Sequence, residues 1–156
     1  MKGSDKVIAS LNARLASEHA AIVQYITHSA MCENWGYERL SKYLKGRAFE
    51  EMKHAGMLMD RILFLEGIPV LINVGTVEIG ENIVNMFLFD KQREVEAIEG
   101  YTESVDTAVE YKDFATRKLV ELILEEENAH MNVIESNITQ IIQMGIDNYL
   151  PIQIGV

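Results

Sequence analysis

Six residues at paired spacings carry the chemistry open to this chain: Glu18, Glu51, His54, Glu94, Glu127 and His130. Glu51 follows Glu18 by 33 positions, and Glu127 follows Glu94 by 33. Each second glutamate opens a Glu-x-x-His phrase, Glu51-Met52-Lys53-His54 and Glu127-Asn128-Ala129-His130. The whole pattern therefore occurs twice, offset by 76 residues. Positions i and i+3 share a helix face, so each Glu-x-x-His pair can reach one cation. Four carboxylates and two imidazoles from four helices make the ligand set of a two-metal bundle. Oxygen and imidazole donors without thiolate suit iron or manganese, and zinc also fits.

The competing reading is a set of ordinary glutamates on solvated faces, so the elements that carry them decide. Only two prolines occur, Pro69 and Pro151, which permits long unbroken helices. Ser4 or Asp5 can cap a first helix over about residues 4–35, with Trp35-Gly36 near its end. A second runs from about Glu38 to Glu66 and is stopped by Gly67-Ile68-Pro69. Residues 68–81 carry no helical period and form the one long connection. A third helix spans about Glu81–Tyr111 and a fourth Asp113–Met144, ended by Gly145; a short apolar tail follows, 146–156. Short, long, short connections predict an all-α, ferritin-like four-helix bundle with one crossover, and the tail supplies a short fifth helix.

The stripe test separates the two readings. Ile8, Leu11, Leu15, Glu18, Ile22 and Tyr25 share one face of the first helix. Leu44, Glu51, His54, Leu58, Ile62 and Leu65 do so in the second. The third has Ile83, Phe87, Glu94, Ile98, Tyr101 and Val105; the fourth has Val120, Ile123, Glu127, His130, Ile134, Ile138 and Ile141. All six candidate ligands thus fall on core-facing apolar stripes. Four converging carboxylates would repel one another and take up protons, whereas two divalent cations cancel their charge.

Composition narrows the function further. At 156 residues and 48% apolar content, the chain reads as one domain, 1–156, with a full core. Fourteen basic against 24 acidic side chains give a net charge of −10, which argues against nucleic acid or an anionic membrane as partner. The single cysteine, Cys32, excludes an internal disulfide framework and a cysteine-ligated iron domain; it reads as a packing residue in a cytoplasmic protein. The N-terminus lacks the apolar segment of a signal peptide, and no apolar run spans a membrane.

The order of motifs resembles the bacterioferritin family over nearly the whole chain. The matching segments are Met1-Lys2-Gly3, Gln24-Tyr25, Asn34-Trp35-Gly36, Glu51-Met52-Lys53-His54-Ala55, Arg61 through Gly67, Ile79-Gly80-Glu81 and Met144-Gly145. The resemblance implies a hollow shell of twenty-four subunits storing ferric mineral, with a ferroxidase centre holding two iron ions in each subunit. Glu51 and Glu127 would bridge the irons, Glu18 and His54 would complete one, and Glu94 and His130 the other. Iron(II) would be oxidised there by dioxygen or hydrogen peroxide. Tyr25 is either a family-type tyrosine beside the irons or a core tyrosine with a satisfied hydroxyl. By the same resemblance, Met52 would be the axial ligand of a b-type haem, one haem per subunit pair, given by both partners across a two-fold interface. A packing methionine is the alternative.

Some positions depart from the family pattern. Met52 points about 100° away from the metal face, with Ala48, Phe49, Ala55, Gly56 and Met59 as expected neighbours. His19 and Lys45 stand where apolar and aromatic residues are usual, and Gly46 where some members carry a histidine for an inner-surface iron site, although Glu50 keeps a carboxylate. Pro151 interrupts the tail, whose Leu150, Ile152, Ile154 and Val156 are expected to pack on other subunits. His28 reads as a structural histidine. The chain holds both the iron and the haem ligands, which suits a homo-oligomer; a second bacterioferritin subunit type and a small ferredoxin donor are further partners implied by resemblance. An oxygenase built on the same bundle is the rival enzyme class.

Overall fold

The four apolar stripes become four long helices, each roughly 45 Å at the α-helical rise. A computed structural model describes residues 1–70 and 76–155. The helices are α1 (Asp5–Asn34), α2 (Glu38–Phe64), α3 (Ile83–Glu110) and α4 (Phe114–Met144), followed by the short α5 (Ile146–Tyr149) and a 3₁₀ turn over Leu150–Gln153. No strand occurs among the described residues, and no helix is long and apolar enough to cross a membrane. The 71–75 part of the expected connection and Val156 lie outside the described residues.

Local chemistry sets the helix ends. Ser4 caps α1 by accepting from Lys6 N–H, and Asn82 caps α3 by accepting from Asn85 N–H at 2.9 Å. Asn82 places the start of α3 at Ile83, two residues later than the sequence predicts. Three helices close with one device, a left-handed residue followed by paired back-bonds to the last turn. Gly36 (φ 83), Glu66 (φ 62) and Lys112 (φ 55) take the left-handed position. The next residues, Tyr37, Gly67 and Asp113, donate their N–H to Cys32, Ile62 and Ala108. α2 ends just before Gly67-Ile68-Pro69, as the sequence predicts, and the left-handed residue of the stop is Glu66. Gly67 is needed for space, since a Cβ there would lie 2.7 Å from Ile8 Cγ2.

Cross-helix bonds set the directions. Ser29 on α1 donates to Ser41 O on α2, and these helices run antiparallel through a short turn. Ser10–Ser104 and Gln24–Asp90 bonds run α1 antiparallel to α3. Arg61–Thr116 and His54–Glu126 bonds run α2 antiparallel to α4. Hence α2 and α3 are parallel, and the segment between them must return along the bundle. Both its ends are fastened. Asn12 donates to Ile68 O and accepts from Val70 N–H. At the far end Gly80 N–H donates to His28 Nε2, leaving Nδ1–H to donate to Asp90 at 2.9 Å. His28 is therefore a structural histidine that fastens the crossover.

The core is split. One apolar cluster holds Val7, Leu11, Leu15, Leu58, Ile62, Tyr101, Val120 and Ile123. A second holds Ala21, Tyr25, Cys32, Leu40, Leu44, Phe87, Ile134 and Tyr149. Each of the four helices passes from one cluster to the other through its own candidate ligands. Cys32 packs in the second cluster, and burial pushes its thiol up to about 12.

Asp113 joins two helices at one end of the bundle. Its carboxylate accepts from Thr116 N–H at 3.0 Å and Thr116 Oγ1–H at 2.7 Å, and from Arg61 Nη2 at 3.0 Å. Burial opposes the charge, but those donors outweigh it and hold the Asp113 pKa below its usual value. Asp113→Ala should cost about 1 kcal/mol in urea unfolding at pH 7. A depressed folded-state pKa stabilises above the unfolded value of about 3.9. The deficit of the variant should therefore shrink as pH falls below about 4.

Candidate metal centre

The six residues sit in one layer of the bundle, one glutamate from each helix and a histidine from α2 and α4. Glu18, Glu51, His54, Glu94 and Glu127 are buried, and His130 is slightly exposed. They form two overlapping groups. Glu18, Glu51, His54 and Glu127 bring one donor atom each within 4.8 Å of the others, and so do Glu51, Glu94, Glu127 and His130. Glu51 and Glu127 belong to both groups.

Both imidazoles turn Nδ1 inward. His54 Nδ1 lies 2.9 Å from Glu127 Oε1, 3.4 Å from Glu51 Oε2 and 3.5 Å from Glu18 Oε1. His130 Nδ1 lies 3.6 Å from Glu51 Oε1 and from Glu127 Oε2. Both Nε2 atoms meet a carboxylate outside the cluster, Glu126 for His54 at 2.5 Å and Glu50 for His130. An outer carboxylate of this kind fixes ring orientation and raises the basicity of the inward nitrogen.

Two tyrosines hold the end carboxylates. Tyr25 Oη donates to Glu94 Oε1 at 2.7 Å, and Tyr101 Oη donates to Glu18 Oε1. Tyr25 therefore has a satisfied hydroxyl and stands at the cluster as well. Tyr101, Glu126 and Arg47 were not anticipated as site residues. The repeat signals the first two, because Tyr101 follows Tyr25 by 76 positions and Glu126 follows Glu50 by 76. The layer is thus built from two copies of a Glu, Tyr, Glu-Glu-x-x-His set, cross-paired so that each half supports the other's ligands.

The electrostatics are tense. Burial, then the neighbouring Glu51, raises the Glu18 pKa; burial and Glu127 raise that of Glu94. Burial opposes the charge of Glu51, but Glu18, His54 and Arg47 outweigh it and hold Glu51 ionised. Burial likewise disfavours protonated His54, yet Glu127, Glu18 and Glu51 hold its proton. Arg47 from α2 enters the layer with Nη2 2.7 Å from Glu51 Oε1 and 2.5 Å from Glu94 Oε1. Even so, Glu18 Oε2, His54 Nδ1, Glu94 Oε2, Glu127 Oε1 and His130 Nδ1 are buried and make no hydrogen bond. Three of these are carboxylate oxygens and two are imidazole nitrogens that offer a lone pair once His54 gives up its proton; together they are the donor set a pair of cations would satisfy.

The other sequence candidates lie elsewhere. Met52 is 52% exposed on the outer side of α2, beside Phe49 at 58%. Of its expected neighbours, Ala48 and Ala55 are buried, each in one of the two core clusters. His19 is half-buried with an unpartnered Nδ1, and Lys45 and Gly46 are exposed. In the tail, Ile152 and Ile154 are exposed, and Leu150 is half-buried.

Comparison with known proteins bears on the fold and the family. The ferritin-like domain family matches residues 8–144. A bacterioferritin of Streptomyces coelicolor is 33% identical over 150 residues, covering 96% of this chain and 90% of that protein. A bacterioferritin of Brucella melitensis is 34% identical over 149 residues, covering 96% and 92%. One from Mycobacterium tuberculosis is 32% identical over 149 residues, covering 96% and 94%.

The shared carboxylates make a specific expectation. Glu127→Gln should weaken two cation-binding steps together, each by tenfold or more, about 1.4 kcal/mol. Glu18→Gln should weaken only one. Calorimetric titration with cobalt(II) reads both, and equal effects of the two variants would contradict the overlapping geometry.

Proposed function

The chain belongs to the bacterioferritin family, and on that premise we propose that it stores iron after oxidising it within the bundle. The five orphaned donor atoms of the central layer carry the reading. Two iron(II) ions are the substrate. Glu18 and His54 hold one, Glu94 and His130 the other, and Glu51 and Glu127 bridge them. Each ion gives one electron to dioxygen or hydrogen peroxide, and the ferric product joins a mineral inside a shell of twenty-four chains.

The protein's own part is electrostatic and geometric. Four carboxylates offset the charge of two divalent ions, and retain affinity for the more highly charged product. Glu126 and Glu50 aim the imidazoles, and Tyr101 and Tyr25 fix the outer carboxylates of Glu18 and Glu94. Burial of the layer excludes bulk water, which strengthens each of these interactions. Tyr25 lies close enough to supply an electron or a hydrogen bond to the cluster.

The outer side of α1 and α2 supports a second part of the reading. Val23, Ile26, Phe49 and Met52 are exposed apolar side chains there. A patch of this kind calls for a covering partner. A second subunit would cover it, and Met52 of each would hold a b-type haem, one per subunit pair. A homo-oligomer suffices, since one chain holds both ligand sets; a second subunit type can also enter the shell. A small ferredoxin would return electrons for iron release in the cytoplasm.

The assembled shell should run at roughly 420 kDa, from chains of 17.7 kDa. Mixed with iron(II) in air, it should oxidise iron rapidly and continue uptake far beyond two ions per chain. Uptake that stops at two would favour an oxygenase instead. Met52→Leu should abolish haem absorbance and leave the shell and the fast oxidation intact. A variant that retained haem would overturn the ligand assignment.

A further inference from the structure

The six candidate ligands and the outer side chains bonded to them repeat across the two halves, with one exception. Ten residues correspond across the 76-residue offset: Glu18, Tyr25, Glu50, Glu51 and His54 with Glu94, Tyr101, Glu126, Glu127 and His130. Arg47 corresponds to Ile123, an apolar residue of the first core cluster. The Arg47 guanidinium therefore breaks the symmetry; Arg14, over the Tyr101 ring, bonds none of the six candidate ligands. Arg47 is 4% exposed and stacks over the Tyr25 ring, 4.8 Å from its centroid.

Its contacts are one-sided. Nη2 holds Glu51 Oε1 and Glu94 Oε1, and Nη1 lies 3.1 Å from His130 Nε2. Those three residues belong to the group completed by Glu127. No hydrogen bond or ion pair of Arg47 reaches Glu18 or His54, which distinguish the other group. A guanidinium and a divalent cation cannot both take Glu51 Oε1 and Glu94 Oε1, because like charges in a dry interior repel strongly. Arg47 also has somewhere to go. Nη1 already lies 3.1 Å from Glu50 Oε2, whose side chain is 54% exposed, and His130 at 12% is the least buried of the six candidate ligands. The route outward follows the open edge of the layer.

We propose that Arg47 sets the loading order, keeping the Glu94–His130 position closed until its guanidinium swings out to Glu50. This rests on the two-metal reading above. The Glu18–His54 position fills first: its ion displaces a proton from His54 but no side chain. The second ion must expel Arg47, so it binds more weakly than the first. Positive charge from the first ion helps by taking a share of Glu51, one of the two anchors of the guanidinium. The protein then has a built-in internal cation that stabilises its carboxylates until iron takes its place.

The test is a cobalt(II) titration of the assembled, metal-stripped protein, followed by calorimetry and by the visible absorption of bound cobalt. Wild type should bind two equivalents per chain in steps at least tenfold apart. Arg47→Gln should tighten the second step by tenfold or more and move the first by less than threefold. The same variant should lower the melting temperature of stripped protein more than that of cobalt-loaded protein. Glu50→Gln loses the outward berth of the guanidinium together with the charge behind His130; it should therefore weaken the second step at least threefold more with Arg47 present than in the Arg47→Gln background. Two equivalents bound alike by wild type and both variants would overturn the loading order and leave the two-metal reading standing. Binding of no cobalt by any of them would overturn both.

Discussion

Four carboxylates in the dry middle of a helical bundle are the constraint around which this structure is organised. Each would cost several kcal/mol if left charged and alone. Glu18 and Glu94 respond with raised pKa values, and Glu51 stays ionised against Arg47 and protonated His54. The apolar core cannot close across this layer, so it forms as two clusters, one on each side. The long helices are a consequence as well. Only elements that run through both clusters can supply packing on either side of a polar seam and ligands within it.

The directions of the helices serve the same layer. With α1 antiparallel to α2 and to α3, the two Glu-x-x-His faces of α2 and α4 meet across the bundle, and the tyrosines of α1 and α3 reach each other's glutamates. The crossover contributes no candidate ligand among the described residues. It is held by Asn12 at one end and His28 at the other, and its role is to return the chain so that α3 begins where α1 ends.

Much of this was legible in the sequence, because helical geometry converts spacing into position. The 76-residue offset, the i, i+3 pairs and the apolar stripes place all six candidate ligands in one layer before any coordinates. Applied to Tyr25 and Glu50, the same offset would have found Tyr101 and Glu126. Arg47 resisted this approach. A lone arginine on an amphipathic helix is by default a solvated side chain, and its burial depends on the carboxylates it meets. The helix ends at Glu66 and Lys112 resisted for a related reason, since glycine is the usual signal of a left-handed residue and neither is glycine. The surroundings of Met52 were only partly legible: a helical wheel shows direction but not how closely the neighbouring helix approaches Ala48 and Ala55.

The covalent joining of the two half-sites has a consequence of its own. Were the layer assembled from two identical hairpins, every substitution would appear in duplicate, and an arginine at this depth would bring a second one opposite it. Fusion into one polypeptide releases the halves from that mirror. It lets a guanidinium stand on one side only, with Ile123 at the counterpart position, and so lets two pockets with the same ligand types differ in what must leave before each fills.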